Sequence, residues 1–162
     1  MANTSKENVL TEHGSDPAVR ALLAWKPAAV VDAIWDRNEL TLTIERDDIR
    51  EAAKVVRDSG YNFLEDVTAV DWYPAEPRFQ ISYHILSLGL KKQIRLRAFV
   101  RNDDPAIDTI TPVWPSANFY EREVYDLFGV RFAEHPNLRR IMLPDEWEGH
   151  PLRKDYPVEG YR

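Results

Sequence analysis

The sequence predicts an α+β domain: a β-β-α-β-β-β mixed or antiparallel sheet with helices packed on one face, a second helix, and a long irregular C-terminal docking arm. Three observations carry this expectation. Five segments alternate apolar and polar residues with the period of a strand. Two segments repeat apolar residues with the period of a helix. The end of the chain does neither, and holds prolines at 136, 144, 151 and 157. The expected layout is a flexible leader over 1–17, the α+β domain over 18–129, and the arm over 130–162.

Length and composition bound the class. A chain of 162 residues, 44% hydrophobic and 30% charged, is long enough to bury one core without staples. It has no cysteine, which excludes disulfides, Cys-ligated zinc and Cys-ligated iron–sulfur clusters. The net charge of −6 argues against non-specific nucleic-acid binding, which needs a basic surface. No window has the run of apolar residues that a membrane span needs. The start, "MANTSKENVLTEHGSDP", carries no apolar core and does not read as a signal peptide.

The leader is small, polar and acidic up to Pro17. "VRALLAWKP" then predicts a short helical turn that Pro27 stops. "AVVDAIWDRNELTLTIER" reads as a hairpin. Val31, Ala33 and Trp35 alternate before a turn at Arg37-Asn38, and Leu40, Leu42 and Ile44 alternate after it. A helix follows, with Asp47 as its N-cap and Gly60 at its C′ position. Ile49, Ala52, Ala53 and Val56 make a narrow apolar stripe on it.

Three more strands come next. "FLEDVTAVDWY" is β-rich and ends at Pro74. "RFQISYHILSL" puts Phe79, Ile81, Tyr83 and Ile85 on one face. "KQIRLRAFVR" puts Ile94, Leu96, Ala98 and Val100 on one face and Arg95, Arg97 and Arg101 on the other. Gly89 marks the turn between the last two. The second helix is "ANFYEREVYDLFG". Ser116 or Asn118 caps it, Asn118 and Glu121 resemble a capping box, and Gly129 stops it. Its expected apolar stripe is Tyr120, Val124, Leu127 and Phe128.

The search for chemistry in the chain returns little. No glycine-rich phosphate loop occurs. Glu121 and Glu123 point about 200° apart on a helix. Glu123 and Asp126 face one another at i, i+3, and beside Arg122 they read as a solvated or salt-bridged face. His135 and His150 each precede a proline, fifteen residues apart, and read as hydrogen-bonded structural histidines. The reading as a stand-alone metal-dependent hydrolase would use these two and nearby carboxylates. Of the aromatics on which bases stack, the arginine face of the sheet carries only Phe99.

The arm is what remains. Its backbone groups have no helix or sheet ladder to pair with, so side chains, water or another chain must satisfy them. Trp147 and Tyr156 are apolar anchors, and Arg139, Arg140 and Arg153 are planar multi-donor groups. Composition alone leaves open whether the arm wraps a partner or its own sheet.

The contiguous run Glu121 to Pro157, "EREVYDLFGVRFAEHPNLRRIMLPDEWEGHPLRKDYP", resembles the signature of the C subunit of the proton-translocating NADH:quinone oxidoreductase, respiratory complex I. The match lies in E-R-E-x-x-D-x-x-G, then H-P-x-L-R-R-I, then W-x-G-x-P-L-R-K-D-Y-P. Carried over residue by residue, Glu121, Arg122, Glu123, Asp126, His135, Pro136, Arg139, Arg140, Trp147, Pro151, Leu152, Arg153, Lys154, Asp155, Tyr156 and Pro157 hold the signature. The resemblance implies a structural and interfacial role for them, with no catalytic residue in this chain. It implies a peripheral-arm subunit with no flavin, iron–sulfur cluster or metal of its own, in a complex that carries FMN, iron–sulfur clusters and quinone. The implied partners are the quinone-pocket D subunit and the B and I subunits, which would order the arm. The implied place is the cytoplasmic face of the inner membrane, reached only through the complex. The same signature recurs in membrane-bound hydrogenases, formate hydrogenlyase and complexes fed by F420H2 or ferredoxin. It therefore names the scaffold more closely than the electron donor.

Overall fold

A computed structural model describes residues 5–160. The elements run α1 (Lys6–Glu12), α2 (Pro17–Trp25), β1 (Val30–Asp36), β2 (Glu39–Ile44), α3 (Ile49–Asp58), β3 (Phe63–Asp71), β4 (Phe79–Ser87), β5 (Lys92–Val100), β6 (Ala106–Asp108), α4 (Ala117–Phe128) and β7 (Arg131–Ala133). Five strands form one mixed sheet in the order β1-β2-β5-β4-β3. Only β2 and β5 run parallel in it; the other pairs are antiparallel. β6 and β7 make a separate parallel pair.

Strand alternation sets the core. Leu40, Leu42 and Ile44, Phe79 through Ile85, and Ile94 through Val100 bury every second side chain under the helices. The α3 stripe is the expected one, with Ile49, Ala52, Ala53 and Val56 all buried. The hairpin turn is at Arg37 (φ 50°) and Asn38 (φ 67°), the left-handed pair that a tight two-residue turn demands.

Several local expectations are corrected. Residues 6–17 are not a flexible leader. α1 buries Val9 completely, and the Lys6 ammonium donates to the Val30 carbonyl. Asp16 caps α2 and accepts from Tyr61 (2.8 Å) and Lys92 (3.0 Å), tying this end to the sheet. A seven-residue helix with one buried residue leaves almost no periodic signal. Residues 1–4 lie outside the described chain. A register shift between Val30 and Asp32 breaks the predicted β1 alternation, so Val31 is exposed while Val30 and Ala33 are buried; Trp35, near the end of the strand, stays partly exposed and stacks on the His13 ring at 4.2 Å. Asp47 does not cap α3; it lies in a 3₁₀ turn ahead of it. Gly89 does lie in the β4–β5 turn, as expected, and the left-handed residue there is Lys91 (φ 53°).

The sheet face away from the core helices mixes exposed apolar residues such as Val31, Phe63 and Val70 with a central polar network satisfied from within. Arg97 donates to Thr43 (2.6 Å) and Asp32 (3.1 Å). Arg95 donates to His84 (2.8 Å) and to Glu39, and His84 meets Asp66 at 2.6 Å. Arg95 and Arg97 are committed to partners on β1, β2 and β4, so they offer no phosphate-binding track.

Candidate functional site

The site is built on α4. Its buried residues are Ala117, Glu121, Arg122, Val124 and Asp126, three of them charged. Of the predicted apolar stripe, Val124 is buried and Tyr120, Leu127 and Phe128 are half-buried. α4 packs on β3 with one side and carries the C-terminal arm on another. Its inward arc is therefore wider than a surface helix needs, and its polar part serves the arm's backbone.

Asp126 is the centre of that service. One carboxylate oxygen accepts from three consecutive backbone N–H groups, Ile141 (2.9 Å), Met142 (2.8 Å) and Leu143 (3.0 Å). The other accepts from the Arg140 guanidinium at 2.6 Å. Burial alone would raise this carboxyl, but the three N–H donors and Arg140 prevail and hold it below the usual carboxylate range. Arg140 also donates to the carbonyls of Trp147 and Gly149, each at 3.0 Å. Arg122 donates to the carbonyls of Arg139 (3.2 Å) and Arg140 (3.3 Å) rather than pairing with Glu123.

The arm also finishes the helix. An α-helix leaves its last four carbonyls without intrahelical partners. Here Tyr125 O accepts from Gly129 N (2.8 Å), Asp126 O from His150 Nδ1 (2.8 Å), Leu127 O from Leu152 N (3.1 Å) and Phe128 O from Arg153 Nε (2.6 Å). Gly129, at φ 73°, lets the arm come this close. A Cβ there would stand 2.5 Å from the His150 ring and 2.7 Å from the Arg153 guanidinium.

A second anchor lies at the sheet. Arg78, 2% exposed, forks onto Asp71 of β3 (2.9 and 2.8 Å) and onto Asp155 of the arm (2.9 and 2.6 Å). Lys154 N donates to Asp71 at 2.8 Å. Burial pushes the Asp71 carboxyl up, but the Arg78 hydrogen bonds and two backbone N–H groups outweigh it and bring it to about 2. Between residues 135 and 156 this chain itself supplies many of the arm's partners, through Arg122, Asp126, Arg140, Asp71 and Arg78. Arg140 is satisfied inside the chain, and Arg139 is exposed. No sequence signal marked Arg78, which lies far from the arm in the chain.

Glu121 is not part of a capping box. It is fully buried and accepts from Thr109 Oγ1 (2.5 Å) and Ile110 N (2.8 Å), fastening α4 to the preceding loop. His135 Nε2 lies 3.8 Å away. That nitrogen meets the Asn118 carbonyl, while His135 Nδ1 accepts from Asn137 N. His135 and His150 thus hold backbone, as the structural reading expects. Burial raises the Glu121 carboxyl to about 7, against the opposing effects of Thr109, Ile110 N–H and the Arg50 charge. Folded Glu121 therefore binds its proton more tightly than the unfolded chain does. Its contribution to stability is fully present below about pH 4.5 and is lost as pH rises through about 7. Relative to Glu121→Gln, the native chain should lose about 3 kcal/mol between about pH 4.5 and 8. Urea unfolding of both proteins across this range measures the difference, and parallel pH curves would refute it.

The outward side of the arm is apolar in places. Met142 is 63% exposed, Leu152 51% and Trp147 41%.

Comparison with known proteins places this arrangement. Residues 42–162 match the family described as respiratory-chain NADH dehydrogenase, 30 Kd subunit. The chain is 48% identical over 133 residues to the C subunit of the NADH-quinone oxidoreductase of Citrifermentans bemidjiense, covering 82% of this chain and 83% of that protein. It is 40% identical over 147 residues to the counterpart from Roseiflexus castenholzii, covering 88% and 84%. Among solved structures it is similar to the trypsin-resistant fragment of Nqo5, with TM-score 0.67, 32% identity, and coverage of 75% of this chain and 99% of the fragment. It is also similar to a chain of a membrane-bound sulfane sulfur reductase, an archaeal respiratory membrane complex, with TM-score 0.76, 25% identity, and coverage of 90% and 86%.

Proposed function

The chain belongs to the 30 kDa subunit family of the respiratory-chain NADH dehydrogenase, and from that membership we propose that it is a cofactor-free, non-catalytic subunit whose arm docks on the subunit that forms the quinone pocket. It is a subunit of an NADH-quinone oxidoreductase, the multisubunit enzyme that passes electrons from NADH to quinone and couples this to proton translocation. Its place is in the peripheral arm. The B and I subunits are further neighbours in this reading, and the complex holds the chain at the cytoplasmic face of the inner membrane. Among the described residues, no helix is long and apolar enough to cross a membrane.

One observation carries the docking part. The arm's backbone is closed by Asp126, Arg140 and Arg78, yet Met142, Trp147 and Leu152 remain turned outward. The arm's outer side thus carries exposed apolar side chains among charged ones such as Arg139, Glu146 and Glu148, as on a surface made to be covered. The signature residues divide accordingly. Glu121, Arg122, Asp126, His135, Arg140, Arg153 and Asp155 shape the arm from inside, while Arg139, Trp147 and Leu152 present its outer side.

The fold is shared with the sulfane sulfur reductase complex at 25% identity, so fold alone does not name the electron donor. Relatives at 48% identity bear the NADH-quinone oxidoreductase name, and that reading is preferred. Affinity capture of the tagged chain from gently solubilised source membranes, followed by mass spectrometry, tests it. Recovery of the quinone-pocket subunit with flavin- and NADH-binding subunits is expected. Recovery of a hydrogenase-type or sulfur-reducing module would move the chain to a related complex, and recovery of no partner would overturn the docking role.

A further inference from the structure

The last bends of the arm form a groove of about 560 Å³ lined by Pro144, Glu146, Trp147, Glu148, Tyr156 and Glu159. Among the described residues, no lysine, arginine or histidine lines it. Its frame is fixed from inside the chain. Arg140 grips the carbonyls on either side of Glu148, Trp147 N bonds to Pro144 O at 3.1 Å, and the Tyr156 hydroxyl donates to Glu148 O at 3.3 Å. Among the described residues, the Glu146 and Glu148 carboxylates form no ion pair, unlike Asp126, Asp71 and Asp155 nearby. The groove thus combines an exposed indole with two unneutralised carboxylates on a fixed backbone.

We infer that this groove receives an extended, cationic segment of a partner protein, with an arginine or lysine side chain laid against Trp147 and paired with Glu146 and Glu148. The inference rests on the arm being a docking element, and it specifies the chemistry of what docks. An aromatic face attracts a cation, and flanking carboxylates reinforce it. The same rim repels phosphate, so neither nucleic acid nor an anionic lipid surface suits it. No buried polar group converges on the groove to orient a small molecule, and its open shape fits a strand of polypeptide instead.

The test uses the assembled complex. One variant carries a photo-crosslinking residue at position 147, and the adduct is identified by peptide sequencing. The second pair of variants, Glu146→Gln/Glu148→Gln and Glu146→Lys/Glu148→Lys, is compared with the native chain for retention on the complex through salt washes. The adduct peptide should contain arginine or lysine and carry net positive charge. The lysine variant should be retained about tenfold less and the glutamine variant to an intermediate degree, each with native melting of the isolated chain. An acidic or wholly apolar adduct, an adduct with lipid, or native retention of the lysine variant would overturn the inference. Failure of the native chain itself to recover any partner would instead overturn the docking reading on which it stands.

Discussion

Replacing Asp126 with alanine should detach the arm between Arg139 and His150 while leaving the sheet folded. The carboxylate is fully buried, and four donors point at it: the N–H groups of Ile141, Met142 and Leu143 and the Arg140 guanidinium. Hydrogen bonds to a charged group contribute about 1.5–3 kcal/mol each, although bonds sharing one acceptor do not add. Removing one member of a buried ion pair costs about 3–5 kcal/mol, because the other is left unpaired. Arg140 would lose the charge that positions it, and with it the hold on Trp147 and Gly149. The expected loss is about 3–5 kcal/mol in the local stability of the arm. Amide hydrogen exchange at residues 141–143 should accelerate by about two to four orders of magnitude, and proteases should cut near residue 145 first. Unchanged exchange there would show that Asp126 does not hold the arm. In the complex, the variant should fail to retain the quinone-pocket subunit.

The second large effect is expected at Arg78. Arg78→Met keeps most of the side-chain volume and removes the charge. Asp71, 3% exposed, would then lie buried with a negative charge and no cation, and Asp155 would lose its anchor on the sheet. Global stability should fall by about 3–5 kcal/mol, a large share of what a domain of this size has. The double variant Asp71→Asn/Arg78→Met should recover part of the loss, since an apolar replacement of the whole pair is often nearly neutral. The pH dependence separates charge from packing. Native Asp71 has a folded value near 2, below its ordinary 3.8, so its stabilisation is present above about pH 4 and lost as pH falls through about 2. This amounts to about 2 kcal/mol in the native chain. In Arg78→Met the acid-side loss should disappear. Equal acid sensitivity in the two proteins would refute the assignment.

These two anchors also show where sequence reading stops. Strands β2, β4 and β5 and helix α3 were legible because one period ran through each, and the side chains it selected are the buried ones. α4 was legible in extent, from its stop at Gly129, but not in face. Its helical period marks an apolar stripe, while the residues that close the arm are Arg122 and Asp126, polar groups turned inward. One signal could have found Asp126. It sits in the last turn of α4, where the helix dipole disfavours a negative charge unless something compensates it. Arg78 had no comparable mark, because its partners lie 7 and 77 positions away. The arm's prolines indicated irregular structure and its aromatics indicated contact, but neither says with what. That choice depends on which side chains the fold brings beneath it. α1 was lost for a simpler reason: a single buried valine makes no pattern.

The parallel junction in the sheet has a consequence for how the chain is made. β2 is flanked in space by β1, which precedes it directly, and by β5, whose Ile94 pairs with Leu40 across 54 positions of sequence. The β3-β4-β5 meander and the β1-β2 hairpin are each local, so each is quick to close. Their union is the one long loop closure in the sheet. During synthesis at about 5–20 residues per second, β2 emerges several seconds before its second neighbour exists. For that interval an open edge from Leu40 to Ile44, in which every residue is buried in the finished protein, stands unpaired. The interval in which this chain is most exposed to misassociation therefore precedes any contact with the rest of its complex, and its length is set by the rate of translation rather than by the stability of the fold.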